Sequence, residues 1–208
     1  EELRRVIPVV DGLAARVSVP ISIDTYKAPV AREALARGAS IVNDVSGLQF
    51  DADLGGVAAR HGAALVLMHT RGRSKDMYGR AVYDDAAADV AAELGEALAR
   101  AERAGVPRDR TIVDPGLGFA KRAEHSYAVL ARLDRIAALD RPILVGPSRK
   151  SFLKAAIGER EPADREWATA AAVTAAVLSG AHIIRVHGVR EMVDVVQVAD
   201  RIRAAEAD

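Results

Sequence analysis

Short apolar runs alternate along the chain with longer stretches in which apolar and polar residues recur every three to four positions. The apolar runs are rich in Val, Ile and Leu without strict alternation, which is typical of strands buried on both faces. They predict strands at Ile21–Asp24, Ile41–Val45, Leu65–His69, Thr111–Asp114, Ile143–Gly146 and Ile183–His187. The stretches between them predict helices at Val30–Arg37, Leu54–Arg60, Asp85–Ala104, His125–Ala138, Trp167–Leu178 and Glu191–Ala205.

Glycines mark the connections between these elements. Gly38, Gly62 and Gly180 each follow a predicted helix and precede a predicted strand. Glycine tolerates the left-handed conformation that commonly ends a helix, so these residues fit the αβ loops of a repeated βα unit. Such alternation predicts a parallel sheet, either open or closed into a barrel. No linker or shift in composition divides the chain, so residues 1–208 are expected to form a single domain.

Polar residues at the ends of the predicted strands favour the barrel. In a (β/α)8 barrel all carboxyl-terminal strand ends meet at one face, whereas an open sheet needs such residues only near its switch point. The chain has neither a dinucleotide-binding nor a Walker glycine motif. We therefore predict an α/β TIM (β/α)8 barrel with about six of eight βα units in this chain, and two more expected upstream. The strand-end residues are Asp24, Asn43, Asp44, His69, Asp114, Ser148, Arg149, Lys150, Arg185 and His187.

Composition narrows the class of partner. Lys plus Arg and Asp plus Glu number 29 each, which argues against a general nucleic-acid or membrane-surface binder. No apolar stretch approaches the roughly 20 residues of a membrane span, and no secretory signal opens the chain. The absence of Cys excludes disulfides and thiolate metal sites. We expect a cytoplasmic protein with no nucleic-acid or membrane partner.

Six segments carry a family resemblance: "SIDTYKAPVA", "NDVSG", "VLMHTRG", "DPGLGFAK", "GPSRKSF" and "RVHGV". Together, and in this order, they resemble the dihydropteroate synthases, pterin-binding TIM barrels of folate biosynthesis. The resemblance implies a transferase that condenses 6-hydroxymethyl-7,8-dihydropterin pyrophosphate with p-aminobenzoate to give 7,8-dihydropteroate and pyrophosphate. It also implies a Mg²⁺ cofactor, a homodimer and a target of sulfonamides.

The resemblance also implies roles for individual residues. Lys150, Arg185 and His187 would be catalytic, without any protein nucleophile, and Arg185 with His187 would bind pyrophosphate. Phe119 and Ser151 would contact p-aminobenzoate. The pterin would be bound by Asp24, Asn43, Val45, Met68, Asp114, Phe119, Gly146 and Lys150.

The residues alone leave other interpretations open. Asp114 fits a turn that ends a strand, and Asp24 fits a helix N-cap. Asn43 fits a satisfied buried amide, and His187 a core histidine. Ser148, Arg149 and Lys150 fit a solvated charge cluster, within which we expect Arg149 to form a structural salt bridge. Arg185 and His187, two residues apart on one predicted strand, would point to the same side.

The chain departs from the family pattern in two places. The first-strand signature that carries the expected Asn ligand of Mg²⁺ is absent, so no metal ligand is assigned here. Gly188 stands where the family usually has an acid after His187, which affects the orientation of that ring. A long polar loop, Thr70–Arg80, is expected to form a mobile rim with solvated basic residues. Alternative functions are a non-catalytic pterin-binding paralogue or fragment and a methyltetrahydrofolate–corrinoid methyltransferase-like barrel.

Overall fold

Parallel strands and helices alternate along the chain. This computed structural model describes residues 1–205. The strands are β1 (Ser22–Asp24), β2 (Ile41–Asp44), β3 (Ala64–Met68), β4 (Thr111–Asp114), β5 (Leu144–Val145) and β6 (Ile183–Ile184). The α-helices are α1 (Glu2–Ala14), α2 (Ala28–Ala36), α3 (Leu54–Arg60), α4 (Ala86–Arg103), α5 (Ala123–Ala131), α6 (Asp134–Ala137), α7 (Lys154–Ile157), α8 (Glu166–Leu178) and α9 (Val189–Ala205). Short 3-10 turns lie at Met77–Arg80, Arg108–Arg110, Ser151–Leu153 and Pro162–Arg165.

The predicted elements are present, with three corrections. The helix predicted at His125–Ala138 is two helices, because the backbone of Arg132 leaves the helical region at φ −128° and ψ 46°. The strand predicted at Ile143–Gly146 is only two residues long, and so is the strand predicted at Ile183–His187. Its pairing with β5 ends at the bond from Arg185 N–H to the Val145 carbonyl, and the His187 N–H turns instead to the Ser148 hydroxyl.

The strands form two parallel sheets. Four are ordered β1-β2-β3-β4, and β5 pairs with β6. The register places Asp24 beside Asn43 and Asn43 beside Val66, so neighbouring strands end at nearly the same level. Residues that terminate adjacent parallel strands are thereby brought together at one edge.

The chain divides into two compact units. The first contains residues 1–69 and 93–113, and the second contains residues 70–92 together with the described chain from Asp114 onward. In the first unit the strands are covered by α1 to α4, and Val42, Leu54, Val57 and Leu65 are completely buried. Burial of such side chains contributes about 1.5–3 kcal/mol each.

In the second unit α8 packs on α9. Val173 and Val177 of α8 contact Met192 and Ala199 of α9, with Ile184 of β6 against the same cluster. Across residues 1–205, no helix combines the length and the apolar composition that crossing a membrane requires.

Candidate functional site

Asp24 and Asn43 form a polar pair at the ends of β1 and β2 in the first unit. The Asn43 side-chain N–H donates to Asp24 Oδ2 at 3.2 Å. The other amide atom, Asn43 Oδ1, is buried and accepts no hydrogen bond from the described residues. A buried acceptor without a donor is costly, so this oxygen suits a donor from a ligand. Asn43 is therefore not the fully satisfied amide of the alternative interpretation.

The N-cap role considered for Asp24 is wrong. Helix α2 begins after Lys27, and the carboxylate of Asp51 accepts the bond from the Ala28 N–H at 2.8 Å. Asp24 itself is the exposed last residue of β1.

Asp44 stabilises the turn that follows β2. Its buried carboxylate accepts bonds from the Ser46 N–H at 2.8 Å, the Ser46 hydroxyl at 2.7 Å and the Leu48 N–H at 2.6 Å. Burial raises the pKa of Asp44, and these bonds oppose the rise. The turn includes Leu48 in the left-handed region at φ 63°, a conformation that needs such support. Asp44 therefore fixes the backbone that carries Val45.

Two apolar residues predicted to bind the pterin, Met68 and Val45, lie in the first unit. Met68 is buried at the end of β3, and Val45 after β2 is half-buried. The next residue after β3, His69, places its Nε2 3.0 Å from a carboxylate oxygen of Glu93. Glu93 is therefore a structural partner of His69.

Asp114 is the buried end of β4 in the second unit. Its Oδ1 accepts the Gly116 N–H at 2.7 Å, so the strand-ending turn does exist. Burial raises the pKa of Asp114, while Lys150, the Gly116 N–H, Lys121 and Arg185 act in the opposite direction, Lys150 most strongly. Three cations therefore act on one buried carboxylate. A turn alone needs none of them, so this charge pattern is typical of a functional acid.

Lys150 supplies the opposite charge. Its Nζ donates to the Leu117 carbonyl at 2.6 Å and lies 4.8 Å from the centre of the Phe119 ring. Burial lowers the pKa of Lys150, Asp114 raises it and Arg185 lowers it again. The solvated-cluster interpretation is therefore wrong for Lys150, because its head group is held among protein atoms.

A second buried lysine received no role from the sequence. Lys121 is 2% exposed, and its Nζ donates to the carbonyls of Gly116 and Phe119 at 3.2 and 3.1 Å. It also lowers the pKa of Asp114 against the effect of burial. The place of Lys121 in "DPGLGFAK" was the sequence signal for a role. Its burial could not be predicted, because most lysines are exposed.

Arg185 and His187 follow β6 rather than extend it, so the strand argument for their common direction is wrong. Arg185 acts electrostatically on both Asp114 and Lys150. The exposed His187 ring is oriented by Ser148, whose Oγ is 2.8 Å from Nδ1 and also accepts the His187 N–H at 3.2 Å. The core-histidine interpretation is therefore wrong. Whether Arg185 and His187 share one anion remains a prediction.

Arg149 forms the structural salt bridge that the sequence predicts. Its backbone is left-handed, at φ 59°, and its guanidinium is 2.5 Å from Glu166 Oε1. Helix α8 and the turn before it hold this conformation, since Thr169 Oγ1 accepts the Arg149 N–H and Arg165 donates to the Arg149 carbonyl. Arg149 thus separates Ser148 and Lys150, which contact different partners.

Gly188 lies beside two carboxylates. A Cβ at this position would be 3.3 Å from Glu191 Oε2 and 3.6 Å from Glu166 Oε2. The buried Glu166 Oε2 has no hydrogen-bond partner among residues 1–205. The acid missing at position 188 therefore has neighbours that place carboxylates in the same region.

Three further predictions concern Gly146, Ser151 and the basic residues of the Thr70–Arg80 loop. Gly146 is buried where β5 approaches β6, and an added Cβ would be 3.7 Å from Arg185 Cβ. Ser151 is exposed at the start of a 3-10 turn. In the Thr70–Arg80 loop the prediction of solvated basic residues is wrong for Arg71, which pairs with Asp89 and lies over the Tyr83 ring at 4.0 Å.

Comparisons with known proteins show the family to which the chain belongs. A family model described as "Pterin binding enzyme" matches residues 1–187. The dihydropteroate synthase of Synechocystis sp. is 41% identical over 202 residues, covering 97% of this chain and 70% of the relative. The dihydropteroate synthase of Escherichia coli K12 is also 41% identical, covering 99% of this chain and 72% of the relative.

Solved structures give the same result. Yersinia pestis dihydropteroate synthase in a sulfonamide drug complex superposes with a TM-score of 0.93 at 36% identity, covering 97% of this chain and 73% of that one. The Thermus thermophilus enzyme in complex with 4-aminobenzoate gives 0.91 at 42% identity, covering 97% and 77%. These similarities confirm the predicted TIM-barrel fold class. The chain belongs to the dihydropteroate synthase family of pterin-binding enzymes, transferases of folate biosynthesis.

Proposed function

We propose that this chain condenses 6-hydroxymethyl-7,8-dihydropterin pyrophosphate with p-aminobenzoate to give 7,8-dihydropteroate and pyrophosphate. The observation that carries the proposal is the charge cluster of Asp114, Lys150 and Arg185. This acid, at the end of β4, and these two cations, which follow β5 and β6, influence one another electrostatically. A substrate with a hydrogen-bonding heterocycle and an anionic tail would offer donors to the acid and negative charge to the cations.

Asp114 and Lys150 would recognise the pterin. The pterin edge presents ring N–H and amino donors beside a carbonyl acceptor, and one ionised carboxylate can accept two such donors in strong charge-assisted bonds. The Lys150 ammonium has three donors, one of which goes to the Leu117 carbonyl. The others are free to reach the pterin carbonyl and ring nitrogen.

Arg185 and His187 would stabilise the leaving group. The bond between the pterin methylene carbon and the pyrophosphate oxygen breaks, which leaves negative charge on pyrophosphate and positive charge on carbon. Fixed cations aimed at developing charge commonly make the greatest single contribution to such catalysis. The amine of p-aminobenzoate then bonds to the methylene carbon and releases one proton. Departure before attack requires no protein nucleophile.

Mg²⁺ is proposed as a ligand of the substrate pyrophosphate. Within residues 1–205, no three His, Asp or Glu side chains are grouped as a metal site, so the side chains present do not make a protein cage. Magnesium is commonly bound through substrate phosphates with few protein ligands. No step of the reaction above is assigned to the ion.

We also propose a homodimer formed through α8 and α9. Exposed apolar side chains lie on both helices: Trp167, Leu178, Val189, Val193, Val198 and Ile202. Trp167 is 88% exposed, which is unusual for the largest apolar side chain. A second copy of this surface would cover it. Light scattering after size exclusion tests the idea, and a monomer at micromolar concentration would refute it.

The proposed reaction is tested by incubating the protein with both substrates and Mg²⁺ and measuring dihydropteroate and pyrophosphate. Arg185→Ala is expected to weaken pyrophosphate binding more than pterin binding. Arg201→Ala, which removes an exposed cation of α9, is the matched control. Equal losses of pyrophosphate and pterin affinity in Arg185→Ala would contradict the division of roles. Pterin binding without any product would favour a non-catalytic pterin-binding protein.

A further inference from the structure

Two tyrosines of the segment between β3 and α4 donate hydrogen bonds to the loop that carries Phe119. The Tyr83 hydroxyl donates to the Ala120 carbonyl at 2.8 Å, and the Tyr78 hydroxyl donates to the Gly118 carbonyl at 3.3 Å. The two acceptors directly flank Phe119 in sequence.

The segment Gly116–Ala120, here named the Phe119 loop, has an unusual backbone. Gly116, Gly118 and Ala120 all have positive φ, at 64°, 79° and 49°. This conformation is unfavourable for Ala120 because of its Cβ. Each carbonyl accepts a side-chain donor: Gly116 from Lys121, Leu117 from Lys150, Gly118 from Tyr78, Phe119 from Lys121 and Ala120 from Tyr83.

Tyr83 is itself fixed from two sides. The Arg71 guanidinium lies 4.0 Å from the ring centre, and the His125 ring packs edge-on at 4.9 Å. Arg71 is in turn anchored by Asp89 of α4 and by the Val82 carbonyl. The Tyr83 hydroxyl therefore reaches Ala120 from a ring whose position is set by α4 and α5.

We propose that Tyr83, assisted by Tyr78, is a positioning residue that fixes the Phe119 ring against Lys150 and so shapes the aromatic wall for the arylamine substrate. This inference rests on the proposed function for its substrate, because contact of Phe119 with p-aminobenzoate is itself a prediction. The Phe119 ring centre lies 4.8 Å from the Lys150 ammonium. Tyr83 is the stronger member, since its bond is shorter and its ring is half-buried, whereas Tyr78 is 50% exposed.

The test deletes single hydroxyls and reads the loop directly. Amide hydrogen exchange of the peptide spanning residues 114–122 is compared among the wild type, Tyr83→Phe, Tyr78→Phe and Tyr127→Phe. Tyr127 is the matched control, because its ring packs on Phe152 and its hydroxyl makes no hydrogen bond with the described residues. We expect about three- to tenfold faster exchange of this peptide in Tyr83→Phe, a smaller change in Tyr78→Phe and none in Tyr127→Phe.

Steady-state kinetics supply the second readout. Tyr83→Phe is expected to raise KM for p-aminobenzoate by about three- to tenfold with kcat changed less than about twofold. Unchanged exchange in Tyr83→Phe, faster exchange throughout the protein, or an unchanged KM for p-aminobenzoate would each overturn the proposal. Exchange can be measured without turnover, so failure of the tyrosine contacts and failure of the proposed reaction give different results.

Discussion

Asp114 at the end of β4 and Lys150 after β5 each change the proton affinity of the other. Burial raises the pKa of Asp114 and lowers the pKa of Lys150, so burial favours the neutral form of both groups. Lys150 is the largest influence opposing this rise for Asp114, and Asp114 opposes the fall for Lys150. Each charge is therefore best retained in the presence of its partner, and the pair has the character of a binding site.

Replacing Lys150 tests this mutual dependence. Lys150→Ala is expected to lower affinity for a pterin ligand by about tenfold to a hundredfold, because it removes charged donors and leaves Asp114 more readily protonated. The fold should remain, as shown by circular dichroism. Calorimetry measures the affinity, with Lys154→Ala as the control because Lys154, at the start of α7, pairs with the exposed Glu159. Unchanged affinity in Lys150→Ala would remove this residue from the site.

Pterin affinity should depend on pH through Asp114. The ionised carboxylate accepts ligand donors, and its pKa in the folded protein lies above the ordinary value of 3.8. Affinity should therefore fall as the pH is lowered through the folded pKa, earlier than an ordinary carboxyl would allow. Calorimetry from pH 7 downward checks this. Asp114→Asn should be weaker at neutral pH and nearly flat, and an identical pH profile in that variant would assign the titration to another group.

The raised pKa of Asp114 makes stability depend on pH in the opposite direction from ligand affinity. Because the folded state holds the Asp114 proton more tightly than the unfolded chain, its contribution to the free energy of unfolding is full below 3.8. The contribution is lost as the pH rises through the folded pKa. Asp114→Asn should therefore gain stability relative to the wild type between acidic and neutral pH. Urea unfolding at the two pH values measures this difference, and a constant difference would contradict the linkage.

Ser148 should affect the rate more than binding. Ser148→Ala removes the hydroxyl that contacts His187 at both Nδ1 and the backbone N–H. A less well oriented imidazole should lower kcat by about tenfold while pterin affinity changes less than about twofold. Ser179→Ala at the end of α8 is the control, and comparable losses of kcat and pterin affinity would argue for a general structural effect instead.

Gly188→Asp is expected to destabilise the protein even though it restores the residue typical of the family. The new side chain would enter within 3.3–3.6 Å of the carboxylates of Glu191 and Glu166, and Glu166 already pairs with Arg149. We expect a loss of about 1–2 kcal/mol in unfolding free energy, measured in urea. The double variant Gly188→Asp with Glu166→Gln should recover part of the loss. No recovery would show that crowding, rather than charge, causes it.

Strand-end chemistry could be predicted from the sequence because parallel register places successive strand ends at one edge. The contact between Asp24 and Asn43 followed from that rule, whereas Asp114 and Lys150 follow β4 and β5, which belong to different sheets. The rule failed after β6. There the His187 N–H donates to the hydroxyl of Ser148, a residue distant in sequence, instead of continuing the strand. Apolar periodicity also could not detect the break at Arg132, because the residues on both sides keep a helical pattern.

The burial of polar side chains also could not be predicted from the sequence. Lys121 and Tyr83 donate hydrogen bonds to backbone carbonyls of the Phe119 loop. The sequence does not reveal the conformation of this loop, because Ala120 adopts a positive φ without being glycine. Local propensity would place glycine there, so tertiary contacts override it.

The site assignment is tested most directly by calorimetric titration of the pterin pyrophosphate into the wild type and Asp114→Asn. We predict saturable binding at one site in the wild type and at least about a tenfold loss in the variant, because a charge-assisted acceptor of two donors is removed. Equal affinity in the two proteins, with both folded, would contradict the assignment of the Asp114, Lys150 and Arg185 cluster as the substrate site.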